Sequence, residues 1–126
     1  MTKIYTGIDI VENNRIKNAI SKFGNSFLSR IFTEKEIKYC TSQKNSIQCF
    51  SARFACKEAC IKAFYSAFQK KLSFKEIEII GKQGKPAEIL LHPNIDKNNI
   101  PIDTINISFS IAHEKNNSVA IVIIYF

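Results

Sequence analysis

The sequence lacks any apolar run long enough to cross a bilayer. The longest stretches, such as residues 118–126, are far shorter than the roughly 20 residues of a membrane-spanning helix. The opening residues, MTKIYTGIDIV, also lack the basic start, apolar centre and small-residue cleavage site of a secretion signal. These absences predict a cytoplasmic protein that does not bind membranes.

Internal repeats, low-complexity segments and linker-like stretches are absent as well. With 126 residues, 45% of them hydrophobic, the chain can bury one apolar core but is short for two. We therefore expect residues 1–126 to form a single domain.

CxxC pairs are also missing, and the two histidines lie far apart in the sequence. A zinc site is therefore disfavoured. Of the four cysteines, at positions 40, 49, 56 and 60, the last two are one helical turn apart, and no secretion signal indicates an oxidising compartment. We expect free thiols that pack as small apolar side chains.

Acidic residues are few relative to basic ones. The chain has 18 Lys and Arg against 11 Asp and Glu, a formal net charge of +7. This excess favours an anionic partner. Charge alone does not separate nucleic acid, a phosphorylated cofactor and an acidic protein.

The residues that are present predict an α+β domain, mainly an antiparallel sheet packed on a long helix. A helix at TEKE has a capping box made by Thr33 and Glu36. The polar segment 92–101 is expected to hold one helical turn. The predicted strands are KIYTGIDIV, FKEIEII, AEILL, INISFSIAH and SVAIVIIYF, and the other predicted helices span residues 12–23 and about 47–69.

The long helix has two faces of different character. An aromatic and aliphatic stripe at helical spacing predicts a core face, formed by Phe50, Phe54, Ile61, Phe64 and Phe68. Small residues lie opposite and would let another backbone or subunit approach closely: Ala52, Ala55, Ala59, Ala63 and Ser66. Glu58 and Lys62 lie between these faces, one turn apart. An ordinary surface ion pair is the common use of that spacing.

A second carboxylate, Asp9, makes a simple surface ion pair between Glu58 and Lys62 a less favoured interpretation. Asp9 interrupts the opening β-branched strand, where an aspartate needs a partner, a hydrogen bond or a metal ion. Two carboxylates and a lysine are what a magnesium-dependent phosphoryl-transfer site requires. Metal-dependent nucleases use similar chemistry, so the reaction stays open at this point.

Several motifs occur together in a characteristic order: GIDIVENNRI, FLSRIFTEKEI, RFACKEACIKAF, GKPAEILL and SFSIAHE. In this order the sequence resembles the holo-[acyl-carrier-protein] synthases, small bacterial 4'-phosphopantetheinyl transferases. The resemblance spans nearly the whole chain. It implies the 4'-phosphopantetheinyl transferase fold and transfer of phosphopantetheine from coenzyme A to a serine of apo acyl carrier protein, which serves fatty acid biosynthesis and releases adenosine 3',5'-bisphosphate.

The resemblance also implies roles for individual residues. Asp9 and Glu58 are the expected Mg²⁺ ligands, and Lys62 the expected phosphate contact, which makes these three the candidate catalytic residues. Either Glu58 or a metal-bound water would take the serine proton. The candidate coenzyme A contacts are Arg53, Lys62, Gly84, Lys85, Pro86, Ser110 and His113. Ala112 departs from the family pattern, which has a serine there.

Partners follow from the same resemblance. Arg15 and Arg30 match basic positions that face the acidic acyl carrier protein, and bidentate arginines suit carboxylate recognition. The family usually forms homotrimers with active sites at subunit interfaces, which would explain the alanine face of the long helix. We expect no binding to nucleic acid.

Two alternatives remain at this stage, a small magnesium-dependent nuclease and a basic nucleic-acid-binding module. Both predict an affinity for DNA or RNA that falls steeply with salt. No aromatic RNA-binding strand motif or recognition-helix signature accompanies the charge, which weakens the second.

Overall fold

The first strand of the chain separates two environments. In β1 (Ile4–Glu12), Gly7 and Val11 are buried, whereas Ile8 and Ile10 on the other face are exposed. This alternation follows from the two-residue period of a strand. One face of β1 therefore belongs to the core and the other is an apolar surface.

The computed structural model describes residues 1–82, 84–92 and 100–126. The helical turn predicted within 92–101 falls on residues outside this described part. The other elements are helices α1 (Asn13–Phe23), α2 (Asn25–Ile31), α3 (Glu34–Thr41) and α4 (Ser46–Phe68), strands β2 (Ile77–Lys82), β3 (Lys85–Leu91), β4 (Asn106–His113) and β5 (Asn117–Tyr125), and 3-10 turns at Phe74–Glu76 and Ile102–Thr104.

The described strands form two separate antiparallel sheets. Strand β5 lies between β1 and β4, while β2 and β3 make a hairpin of their own. The predicted α+β class and the antiparallel pairing are confirmed. The division into two sheets was not predicted, because period-two patterns do not say which strands pair.

Most of the small-residue face of α4 is covered within the chain, although Ser66 is exposed. Helix α4 packs across the inner face of the three-stranded sheet, and Ala55, Ala59 and Ala63 are fully buried there. A Cβ atom at Gly7 would lie 2.7 Å from the backbone nitrogen of Ala63, so only glycine allows β1 this close. Of the two partners predicted for this face, a backbone or a subunit, the structure shows the backbone of β1, so the alanines give no separate support for a neighbouring subunit.

The opposite stripe of α4 belongs largely to the core, as predicted. Phe50, Ile61 and Phe64 are buried, and Phe54 and Phe68 are partly buried against the same cluster. The Phe54 ring also stacks on Phe74, with the centroids 5.7 Å apart. This contact holds the segment after α4 against the helix.

Local sequence signals predicted the start of one helix correctly but missed another helix. Thr33 and Glu36 make the predicted capping box at the start of α3. The strand predicted from FKEIEII begins only at Ile77, because a 3-10 turn capped by Ser73 occupies Phe74–Glu76. Helix α2 was not predicted.

Lys57 and Glu36 form a fully buried ion pair. The Lys57 Nζ atom donates to Glu36 Oε1 at 2.6 Å, to the carbonyl of Ile31 at 2.8 Å and to that of Phe74 at 3.0 Å. Burial lowers the pKa of Lys57, and the neighbouring carboxylate of Glu36 partly offsets this. One ammonium thus links α4 to the end of α2, to α3 and to the turn after α4.

The expectation of four free thiols is wrong for two of them. Cys40 and Cys49 form a disulfide between α3 and α4, with their Cα atoms 5.4 Å apart. The prediction failed because the two cysteines become neighbours only when α4 folds back on α3. Cys56 and Cys60 are free and buried, and burial raises the pKa of each thiol to about 12.

This disulfide predicts a specific thiol count. Unfolded but unreduced protein should expose two reactive thiols, Cys56 and Cys60, and four after reduction. Reduction should lower the free energy of unfolding by about 2–3 kcal/mol, the loop-closure value for a crosslink over nine residues. Thiol titration in denaturant measures the number of reactive thiols. Denaturation curves with and without reductant measure the change in the free energy of unfolding. Four reactive thiols without reductant, in protein purified under air, would refute the crosslink.

Among the described residues, no helix combines the length and apolarity needed to cross a membrane. The cytoplasmic location stays a prediction.

Candidate active site

Asp9 and Lys62 meet where β1 crosses α4. The Lys62 Nζ atom lies 3.2 Å from Asp9 Oδ1 and donates to the carbonyl of Ile8 at 2.9 Å. The Asp9 side chain is only 18% exposed. Lys62 therefore binds to strand β1. It does not form the surface ion pair with Glu58 that the helical spacing also allowed.

Glu58 lies close to this pair. It lines a pocket of 240 Å³ together with Asp9 and Arg15. Burial and, next, the charge of Asp9 raise the pKa of Glu58, while Lys62 and Lys71 oppose the shift. Two carboxylates are thus held near each other in a partly desolvated place, an arrangement that a cation would stabilise.

The donor set fits a magnesium ion. Mg²⁺ prefers hard oxygen ligands, usually takes one or two carboxylates from the protein, and fills its other positions with phosphate oxygens and water. Asp9 and Glu58 supply two carboxylates to one pocket. The described residues contain no group of three or more His, Cys, Asp and Glu side chains that could hold an ion alone. Such a site would therefore need oxygens from its substrate.

The two arginines predicted to face the partner protein both lie beside Glu58, in different pockets. Arg15, on α1, shares the 240 Å³ pocket with it. Arg30, in the last turn of α2, shares with it a second pocket of 510 Å³. The second pocket also contains Lys71 and Lys75, which sequence analysis missed. The sequence feature that could have identified them is the basic cluster in QKKLSFK, directly after the long helix.

Arg53 and His113 line a third pocket, of 360 Å³, on the β4 side of α4. The Arg53 guanidinium stacks on the Tyr39 ring at 4.5 Å and donates from Nη1 to Cys49 Sγ at 3.3 Å, while its buried Nε has no partner. Burial lowers its pKa. Guanidinium groups donate well to phosphate oxygens, so Arg53 stays a candidate phosphate contact. Lys44, in a segment we interpreted only as a polar loop, lines the same pocket.

The remaining candidate coenzyme A contacts lie elsewhere. Ser110 is exposed on β4, three residues before His113, so the two side chains leave opposite faces of the strand. Gly84, Lys85 and Pro86 are exposed at the turn between β2 and β3. One chain therefore does not gather all predicted site residues into one place.

The main groups lie on two sides of α4. Asp9 belongs to β1 and His113 to β4, and β5 separates these strands. Two strand spacings amount to about 10 Å. On the helix, Arg53 and Glu58 are five residues apart, about 140° of rotation. One chain thus contains a pair of carboxylates, Asp9 and Glu58, and a pair of basic side chains, Arg53 and His113, which face different directions and which we call the carboxylate half-site and the basic half-site.

Comparisons with known proteins agree with this architecture. Residues 5–122 match the model of the 4'-phosphopantetheinyl transferase superfamily. A holo-[acyl-carrier-protein] synthase of Aquifex aeolicus is 42% identical over 115 residues, 91% of this chain and 93% of the relative. The Helicobacter pylori holo-[acyl-carrier-protein] synthase in complex with coenzyme A has a TM-score of 0.71 and 31% identity, and the match covers 94% of this chain and 98% of that one.

A third match concerns the fold alone. The Chronobacterium ammoniagenes ACPS–CoA complex has a TM-score of 0.82 at 22% identity, with 97% of this chain and 96% of that chain covered. Fold and matches together define an enzyme of the phosphopantetheinyl transferase class. The chain belongs to the 4'-phosphopantetheinyl transferase superfamily, and it is similar to relatives named holo-[acyl-carrier-protein] synthase. The family and fold predicted from the motifs are confirmed.

Proposed function

We propose that this enzyme transfers 4'-phosphopantetheine from coenzyme A to a serine of apo acyl carrier protein, with Mg²⁺, as a step that serves fatty acid biosynthesis. The observation that carries the proposal is the approach of Asp9, Glu58 and Lys62 at the crossing of β1 and α4. The names of the relatives and the coenzyme A complexes among them support the donor and the acceptor. Residues 1–126 act as one domain in this proposal.

The chemistry needs charge neutralisation more than covalent catalysis. The serine hydroxyl gives its proton to Glu58 or to water, its oxygen attacks the phosphorus that bears the pantetheine arm, and the bond from that phosphorus to adenosine 3',5'-bisphosphate breaks. Asp9 and Glu58 would hold Mg²⁺, which supplies Lewis-acid stabilisation of the pyrophosphate when bound. The Lys62 ammonium, 53% exposed beside Asp9, offsets charge on the departing phosphate.

The other predicted residues bind rather than react. Arg53 and His113 bind phosphate groups of coenzyme A in the 360 Å³ pocket. We propose that the exposed Gly84, Lys85, Pro86 and Ser110 add donor contacts. Arg15 and Arg30 engage the acidic carrier.

Intact-mass spectrometry tests the function directly. Apo acyl carrier protein incubated with the enzyme, coenzyme A and Mg²⁺ should gain the mass of one phosphopantetheine group. Omitting Mg²⁺ is the matched control and should abolish the gain. An unmodified carrier, or cleavage of nucleic acid in a parallel reaction, would contradict the proposal.

We propose a homotrimer whose active sites are shared between neighbouring chains. The support is the separation of the two half-sites on opposite sides of α4: coenzyme A bound at the carboxylates of one copy could place its other phosphate at the basic half-site of a neighbouring copy. The outer face of the three-stranded sheet is a suitable contact. Its exposed apolar side chains are Ile4, Ile8, Ile10, Ile121 and Tyr125. Contiguous apolar surface of this kind is typical of interfaces.

A single charge on that face should dissociate the trimer. Ile121 is 39% exposed on the central strand β5, opposite Ile8 of β1. Ile121→Glu should therefore give monomers by light scattering at micromolar concentration, because a carboxylate would be desolvated in the contact. Transfer activity should fall with the trimer. Leu90→Glu, at 40% exposure on the separate β3 hairpin, is the control and should leave the trimer intact. A fully active wild-type monomer would contradict the shared sites.

A further inference from the structure

The chain turns back along α4 immediately after the helix ends. Gln69 adopts a left-handed conformation, with φ of 53°, and closes the last turn. Leu72 is then 2% exposed and Phe74 stacks on Phe54. This returning segment, residues 70–75, is thereby fixed beside the part of α4 that carries Glu58.

The returning segment forms a basic rim around a pocket. Lys71 and Lys75 are exposed and line the 510 Å³ pocket that contains Glu58, and Arg30 of α2 lines its other side. In the described part of the chain, none of these three cations lies within 4 Å of a carboxylate oxygen. The rim therefore presents uncompensated positive charge next to the proposed reaction centre.

Glu58 stands between this rim and the pocket of Arg15. The two pockets have Glu58 as their one common lining residue. Under the proposed function, an acceptor serine must reach the carboxylates of Asp9 and Glu58. A protein that brings a serine there covers the mouths of both pockets, so its surface meets cations on both sides of its serine.

We propose that Lys71 and Lys75, together with Arg30, form a second docking contact for the acidic acyl carrier protein, separate from the contact at Arg15. This inference rests on the proposed function. Exposed lysines on long stems suit a partner's surface carboxylates, which attract at a distance and accelerate encounter. Arg53, in contrast, is buried on the β4 side of α4, where its guanidinium stacks on Tyr39.

Charge reversal on the rim tests the proposal. Lys71→Glu/Lys75→Glu should raise the KM for apo acyl carrier protein roughly tenfold at low salt, since attraction is replaced by repulsion. The KM for coenzyme A should stay within about twofold, because neither lysine is proposed to touch the donor. The KM effect should shrink as salt rises toward 0.5 M or so, where charges are screened.

A second double variant separates the rim from overall charge. Lys35→Glu/Lys38→Glu changes the net charge equally on exposed positions of α3, away from the pocket lining. Its carrier KM should change less than about threefold. Equal KM increases in both double variants would show an effect of net charge and overturn the docking contact. A rise in the coenzyme A KM for the rim variant would assign the rim to the donor and also overturn it.

The two proposals fail in different ways. If the wild-type enzyme modifies the carrier and the rim variant keeps the wild-type carrier KM, only the docking contact is wrong. If the wild-type enzyme modifies no carrier, the proposed function is wrong. Calorimetric titration of apo acyl carrier protein into the wild type and both variants then decides the docking contact without turnover: weaker binding by the rim variant alone supports it, and equal or absent binding refutes it.

Discussion

Glu58→Gln should lower the rate of phosphopantetheine transfer roughly 10²- to 10³-fold at ordinary Mg²⁺ concentrations. Glutamine keeps the size and hydrogen-bonding capacity of the side chain but removes the charge that a hard cation requires. Some activity should return as Mg²⁺ is raised. Asp9→Asn should behave alike, and the double variant should cost much less than the two single effects combined, because both carboxylates act through one ion. Initial rates against Mg²⁺ for the three variants measure this.

The same variant should be more stable than the wild type in metal-free buffer. Because burial and Asp9 raise the pKa of Glu58, ionising it disfavours the folded state. That cost is absent below the ordinary carboxyl pKa of 4.5 and appears as the pH rises through the raised value. The stability gain of Glu58→Gln should therefore be present at pH 7 and vanish near pH 4, as denaturation curves would show. A Glu58→Gln enzyme that transfers phosphopantetheine at the wild-type rate would contradict the proposed metal site, whatever its stability.

Glu36→Gln should cost about 3–5 kcal/mol of folding free energy, the range for a buried ion pair that loses one partner. Lys57, fully buried, would lose its counter-charge and would either stay charged at a cost or give up its proton at a cost. A second conflict arises at Glu36 Oε2, which accepts the backbone N–H of Ile79 at 2.9 Å. With Gln Oε1 toward Lys57, the new amide group would place a donor against that N–H. Chemical denaturation at pH 7 measures the loss.

Two comparisons show that the buried pair itself is responsible. Glu34→Gln, an exposed carboxylate on the same helix, should change stability by no more than about 0.5 kcal/mol. Glu36→Leu/Lys57→Met should be much less destabilised than Glu36→Gln, because it removes both charges at similar volume. A Glu36→Gln protein as stable as Glu34→Gln would show that Lys57 is not held charged by Glu36.

Some of the candidate site was predictable because its signals are local or belong to family motifs. Asp9 in an apolar strand, and Glu58 and Lys62 between two helix faces, were recognised as candidates before any geometry was known. Their predicted chemical roles stay predictions. The pairing of Lys62 with Asp9 joins residues 53 apart in sequence. Spacing alone favoured the wrong partner, Glu58, because a helical pattern describes only neighbours within one turn.

The basic rim and the disulfide were missed for the same physical reason. Lys71 and Lys75 reach Glu58 because the chain reverses at Gln69 and is pinned by the stacking of Phe74 on Phe54. Cys40 and Cys49 meet because α3 and α4 pack side by side. Neither the chain reversal after α4 nor the packing of α3 on α4 produces a periodic pattern in the sequence.

The sequence by itself determined most of the elements, the α+β class and the family, since these depend on periodicity, on capping signals such as Thr33 with Glu36, and on ordered motifs. The tertiary structure alone decided what each element packs against. It assigned the alanine face of α4 to β1 through the close approach at Gly7, and buried Lys57 against Glu36. It also directed the two half-sites to different sides of α4. Local preferences act over a few residues, whereas these contacts depend on how helices and strands share one buried volume.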